Sequence, residues 1–176
     1  INVNLFSFIT IKGVRLIIKF GNFEYSPFAY NAMGSILGPG FGLHNPGYRF
    51  GQTALSLYNK MGGIKNRCKT LFLFVFFINH WKKHAKTGLD YLREAYKSGI
   101  LAGDLIFSGY CISVLTMHRI MLGDNLDEIR EEYVLYREFQ MNARDPFTPR
   151  IYKANELFIQ CLKGETPGKG NLNGNG

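Results

Sequence analysis

No apolar run in this chain approaches the roughly 20 residues that a helix needs to cross a bilayer. LFLFVFFI (Leu71 to Ile78) is eight unbroken apolar residues between basic flanks, which suits a buried helix. The amino-terminal stretch LFSFITIKGVRLIIKF is interrupted by Lys12 and Arg15 and carries no cleavage-site pattern, so a signal peptide is not expected. Cysteine is scarce. Cys68, Cys111 and Cys161 lie 43 and 50 residues apart, an odd number without paired spacing, which argues against a disulfide framework. Each sits among apolar neighbours and reads as a reduced core thiol of a cytoplasmic protein. Acids are few as well, 13 against 21 Lys and Arg, giving a charge of +8 and a pI near 9.4. That balance would suit nucleic acid or an anionic membrane. The basic residues are scattered, however: Lys12, Arg15 and Lys19, then Lys65, Arg67 and Lys69, then Lys82, Lys83 and Lys86. The 124–138 segment is locally acidic, with Asp124, Asp127, Glu128, Glu131, Glu132 and Glu138. No binding motif accompanies the charge, so a solvated basic face is expected and nucleic acid is not a predicted partner.

What the sequence does have is bulk and periodicity. Its 176 residues, 46% hydrophobic and 15% aromatic, can bury a core and exclude a disordered chain. Ile1 stands where a complete chain would begin with methionine, which points to a piece of a longer protein. Ser26-Pro27, Asn45-Pro46 and Thr148-Pro149 each place a capping side chain before a proline, the signature of a helix start. Asn125 with Glu128 resembles a capping box. Leu89, Leu92, Ala95 and Tyr96 form one apolar stripe at helical spacing. Leu126, Ile129, Tyr133 and Tyr136 form a second, and Ile151, Ala154, Leu157, Phe158 and Cys161 a third. Gly62-Gly63, Gly99, Gly103 and Gly123 fall where helices should stop. The pattern predicts an all-α chain with helices at about 5–19, 27–37, 46–60, 66–82, 86–98, 104–122, 126–141 and 149–162. NLFSFITI within the first is equally readable as a strand.

Short turns between helices imply antiparallel neighbours, in a bundle or a stack of hairpins. A shift of 41 residues superposes Tyr48 on Leu89, Phe50 on Tyr91, Ala54 on Ala95 and Gly62 on Gly103, which favours the stack: a tetratricopeptide-like superhelix of helical hairpins. The expected organisation is a leading segment at 1–25, a helical-repeat domain at 26–162 and a flexible Gly/Asn-rich tail at 163–176.

Candidate chemistry is thin. His80 and His84 are four residues apart, as metal ligands on one helix face would be. Between them stand Lys82 and Lys83 in place of a catalytic glutamate, no further ligand is suitably spaced, and the helix should end near Lys82 to Lys86. Trp81, the only tryptophan, reads as a packing anchor at a hairpin corner. GPGFG (Gly38 to Gly42) follows a helical pattern and lacks a Lys-Ser/Thr pair, so it reads as a flexible inter-helix loop. GETPGKG (Gly164 to Gly170) has three residues between its glycines where a phosphate loop needs four, and reads as a linker or frayed tail. His44 and His118 are isolated, and Glu131 and Glu132 belong on a wet helix face. No catalytic residue, cofactor site or metal site is expected.

GYRFGQTALSLYNKM (Gly47 to Met61), FINHWKKHAKTGLDYLREAYKSGILAGDLIFSGYC (Phe77 to Cys111) and LGDNLDEIREEYVLY (Leu122 to Tyr136) resemble the helical segment of very large signalling proteins. Those proteins join a serine/threonine kinase-like domain, an AAA-type ATPase, a tetratricopeptide-like superhelix, a GAF sensor and often a histidine kinase. The resemblance covers roughly residues 28–160 and carries no catalytic residue over. It implies a non-catalytic scaffold or regulatory interaction segment of a kinase/ATPase. The implied partners are other domains of the same parent chain or a regulatory protein, and self-association is expected where an array's apolar ends lie uncovered. The alternative is a basic, aromatic-rich domain acting peripherally on anionic membranes, motivated by LFLFVFFI between Lys69 and Lys82.

Overall fold

The structure is a computed structural model that describes residues 2–61, 66–143 and 145–166, and among these every regular element is helical. Helix α1 (Val3–Phe20) settles the leading segment as helix. Asn2 caps it, its side-chain oxygen accepting the amides of Asn4 and Leu5 at 3.0 and 3.2 Å. Thr10, Val14 and Ile17 are its buried residues, one stripe at helical period, and that docking overrides the strand propensity of the β-branched run. Helix α2 (Ser26–Ser35) runs into a π-helical turn, Ile36–Gly40, before α3 (His44–Met61). The loop expected at Gly38 to Gly42 is therefore partly helical.

Helix α4 (Arg67–Phe77) is the LFLFVFFI run, with Leu71, Phe72, Phe74, Val75 and Ile78 buried. Most of the run packs in the core, while Phe76 and Phe77 at its end stay exposed. Two 3₁₀ turns, Asn79–Trp81 and Ala85–Gly88, turn the corner into α5 (Leu89–Ala102). Then follow α6 (Leu105–Met121), α7 (Leu126–Leu135), the short α8 (Arg137–Met141) and α9 (Thr148–Leu162).

Instead of one central core, three clusters lie in series along the chain. Val14, Ile17, Tyr30 and Ala54 join α1, α2 and α3. The largest cluster, around Phe74, Leu92 and Leu115, joins α4, α5 and α6. Ile112, Ile129, Tyr133, Tyr152 and Ile159 join α6, α7 and α9. Ala54 and Ala95, equivalent under the 41-residue shift, are both fully buried, small side chains at close helix contacts. Gly62, expected to superpose on Gly103 under the same shift, lies outside the described residues, as do Gly63 and Lys65.

Two kinds of glycine were conflated in the sequence. Gly103 (φ 72°) does end α5: its amide donates to the Ile100 carbonyl and that of Asp104 to Gly99, and the left-handed turn costs glycine little. Gly99, by contrast, lies inside α5. A Cβ there would sit 2.2 Å from Ser108 Oγ and 2.8 Å from Cys68 Sγ, so the residue lets α5 approach α4 and α6. Gly164, expected in a frayed tail, closes α9 as Gly103 closes α5; residues 167–176 of that tail lie outside the described residues.

The helix starts also differ in detail. Asn125 caps α7 as expected, accepting from Asp127 and Glu128 amides. Ser26 Oγ instead accepts the amide of Phe23, 2.9 Å away. Asn45 falls inside α3. At α9 the cap is Asp145, whose carboxylate accepts the amides of Phe147 and Thr148 and the Thr148 hydroxyl. These contacts hold the Asp145 carboxyl below the usual carboxylate range against the opposing effect of burial.

Candidate functional site

The two histidines that suggested a metal site do not share a helix face. Helix α4 stops at Phe77, leaving His80 in the first 3₁₀ turn and His84 ahead of the second. His84 caps that second turn: its Nδ1 accepts the Lys86 amide at 3.3 Å, and its carbonyl accepts the Thr87 hydroxyl at 2.8 Å. His80 Nδ1 lies 3.3 Å from the Val75 carbonyl. Trp81 stacks on His44 at the start of α3, ring centroids 4.7 Å apart and 11° from parallel. It anchors the corner while remaining 47% exposed. Behind it, buried Asn79 donates to the Thr87 hydroxyl, bracing one 3₁₀ turn on the other. Among the described residues no three His, Cys, Asp or Glu side chains converge as a metal-ligating set.

His118, isolated in sequence, is buried in α6 close to this corner, its Nδ1 3.7 Å from where a Cβ on Gly88 would lie. Burial first, and then the nearby His80, push its pKa below the ordinary value of 6.5. The unfolded chain therefore binds a proton at His118 at a higher pH than the native one does. Its contribution is fully present above pH ~6.5 and is lost as pH falls through the lowered native value. Urea midpoints measured at pH 7.5 and 5.5 are expected to be lower at the acid end, and His118→Gln is expected to flatten that difference. An equal pH dependence in the variant would assign the effect elsewhere.

Glu132 leaves the expected wet face. It accepts a hydrogen bond from Arg119, which is buried and also pairs with Asp124 at 2.8 Å and Glu128 at 3.6 Å. Glu131 remains exposed. This network ties the end of α6 to α7, a structural task. Cys68 and Cys111 meet in the central cluster with their sulfurs 3.8 Å apart. Burial and the neighbouring thiol raise the Cys111 pKa, so it stays protonated and is a poor nucleophile.

Two of the surface clefts are lined almost wholly by apolar side chains. One, of about 610 Å³, opens between α4, α6 and the start of α9. Phe72 is its hub: Phe76 stacks on it at 5.4 Å and Phe107 meets it edge-on at 5.5 Å. Phe147 and Met117 line its rim, exposed at 59% and 39%. Sequence reading missed this feature, although Phe107, Tyr110, Val114 and Met117 recur at helical spacing and could have flagged it. Aromatic rings of this kind are rigid anchors for a protein or apolar ligand, and they carry no bond-making chemistry. A second cleft, about 750 Å³, lies between α1 and α2. No helix among the described residues is long and apolar enough to cross a membrane.

The chain is similar to hybrid signal transduction histidine kinase G of Dictyostelium discoideum, 30% identical over 144 residues. That alignment covers 78% of this chain but only 4% of the kinase. No protein-family model and no solved structure matches the chain. The likeness is therefore to a short stretch of a very long signalling protein.

Proposed function

We propose that the chain is a non-catalytic, tetratricopeptide-like scaffold segment of a large signal-transduction kinase/ATPase, its helical hairpins stacked as a superhelix. The observation that carries the reading is the serial core: each cluster is shared by helices close in the chain, the packing logic of a repeat array. The buried equivalence of Ala54 and Ala95 supports the same unit. Likeness to a stretch of a signalling kinase supports the context. In this role the aromatic cleft is a docking surface for another domain of the parent chain or for a regulatory protein. Close, unbridged thiols fit the reducing cytoplasm.

Catalysis belongs, on this reading, to other domains of the parent, and this segment passes partner occupancy to them. The test is excision of the segment from the full-length protein. Basal phosphoryl transfer is expected to persist while its response to stimulus is lost. A response of unchanged size would refute the relay. Phe76→Asp with Phe147→Asp, two rim substitutions, should reproduce the excision without removing the fold; normal regulation in that variant would free the cleft of the role.

A further inference from the structure

We propose that copies of this chain associate head to tail, the basic, apolar groove between α1 and α2 of one copy receiving the acidic, apolar ridge of α7 and α8 of the next. The groove is lined by Phe6, Ile9, Leu16 and Phe20 of α1 and by Phe28 and Ala32 of α2. Its floor includes Gly13, where an added Cβ would meet nothing within 4 Å, so a side chain from outside can seat against bare backbone. Lys12, Arg15 and Lys19 lie on the adjoining face of the same helix, all exposed. Lys12 and Lys19 rest over the Phe8 and Phe20 rings at 4.9 and 5.0 Å, contacts that an incoming carboxylate can supplement. No acid precedes Glu24, and only one of the 13 acids precedes Asp90, against eleven of the 21 Lys and Arg. The exposed face of α1 beside the groove therefore carries a positive field that no nearby acid in sequence compensates, and a complementary occupant is acidic.

That occupant is present at the other end of the chain. Glu131, Val134, Leu135 and Glu138 follow at i, i+3, i+4 and i+7, carried across the turn at Tyr136, and all four are exposed. Val134 is 51% and Leu135 80% exposed, a costly display for an end that meets only water. Leu105 and Ile106 extend the apolar surface beside Leu135 and Glu138. Two exposed apolar side chains with an acid on either side thus complement an apolar groove whose helix α1 also exposes three cations. A symmetric contact of groove on groove would set like charges together. Unlike surfaces meeting head to tail leave one of each free, so the association grows into a chain or closes into a ring.

The full chain is tested by sedimentation velocity over a concentration series. The wild type is expected to form a ladder of species that shortens in high salt. Lys12→Glu/Arg15→Glu/Lys19→Glu is expected to weaken association by about tenfold or more, as is Glu131→Lys/Glu138→Lys. Mixing the two variants equally is expected to restore it, since each then offers the charge the other needs. Gly13→Leu, whose Cβ would meet nothing within 4 Å, is expected to block the groove with native circular dichroism. A monomeric wild type, association that survives both charge reversals, or a mixture that stays monomeric overturns the proposal. Sedimentation of a monomeric chain with phosphatidylserine vesicles, abolished by the lysine and arginine reversals, would overturn it in favour of a lipid surface.

Discussion

Phe74→Ala is expected to cost about 3–5 kcal/mol of unfolding free energy, a large effect for a single truncation. The ring is 1% exposed and spans three helices from α4. It lies 5.9 Å from Tyr48 of α3 and meets Tyr91 of α5 edge-on at 5.6 Å. It also fills the space beside Gly51, where a Cβ would come within 2.7 Å of it. Rigid rings and a backbone glycine cannot close over the void, so the cavity term adds to the transfer term. Typical domains hold about 5–15 kcal/mol in all, so the variant should lose at least about a fifth of the total. Urea titration of Phe74→Ala beside Phe74→Leu measures it. A loss below about 1 kcal/mol would mean that α3 and α5 can collapse on each other and that the centre is not set by this ring.

The second large effect comes from adding an atom. Helices α2 and α3 meet backbone to backbone: a Cβ on Gly47 would stand 2.7 Å from the Gly34 carbonyl oxygen and 2.8 Å from the Gly38 nitrogen. Neither atom can rotate aside. Alanine is the better helix former by about 1 kcal/mol, but overpacking of this kind costs about 1–3 kcal/mol and occasionally more, so Gly47→Ala should destabilise. Gly13→Ala is the control with the opposite sign. It sits in α1 with open space around it and should stabilise by up to about 1 kcal/mol through propensity alone. Thermal melts of the two variants check the pair, and melting temperatures moving in the same direction would show that steric contact is not what decides between them.

Much of the fold was legible because helices announce themselves locally. The stripe Leu89, Leu92, Ala95 and Tyr96 became α5, Asn125 became a cap, and LFLFVFFI became the buried α4. What escaped were features set by contacts between helices. Gly99 and Gly103 look alike in sequence, yet one admits a neighbouring helix and the other ends its own. Thr148 looked like a cap, and the task fell to Asp145 three residues earlier because its carboxylate reaches both amides and the hydroxyl. The arrest of α4 at Phe77, which separates His80 from His84, follows from a 3₁₀ corner braced by Asn79 and Thr87. The aromatic cleft was hidden for a different reason. Its rings come from α4, α6 and the approach to α9, and no single segment shows them together.

The serial arrangement of the three clusters bears on how the chain comes apart. Helices α1 and α2 share their buried contacts with α3 and not with α7 or α9, so few contacts tie the chain's two ends. A chain built this way folds from contacts between near neighbours, which favours speed. It can also open from one end while the rest holds, in sub-global steps. Pulled from its termini, it would yield in stages, as a chain of weak links rather than a single shell. A segment that gives way by stages registers the load placed on it.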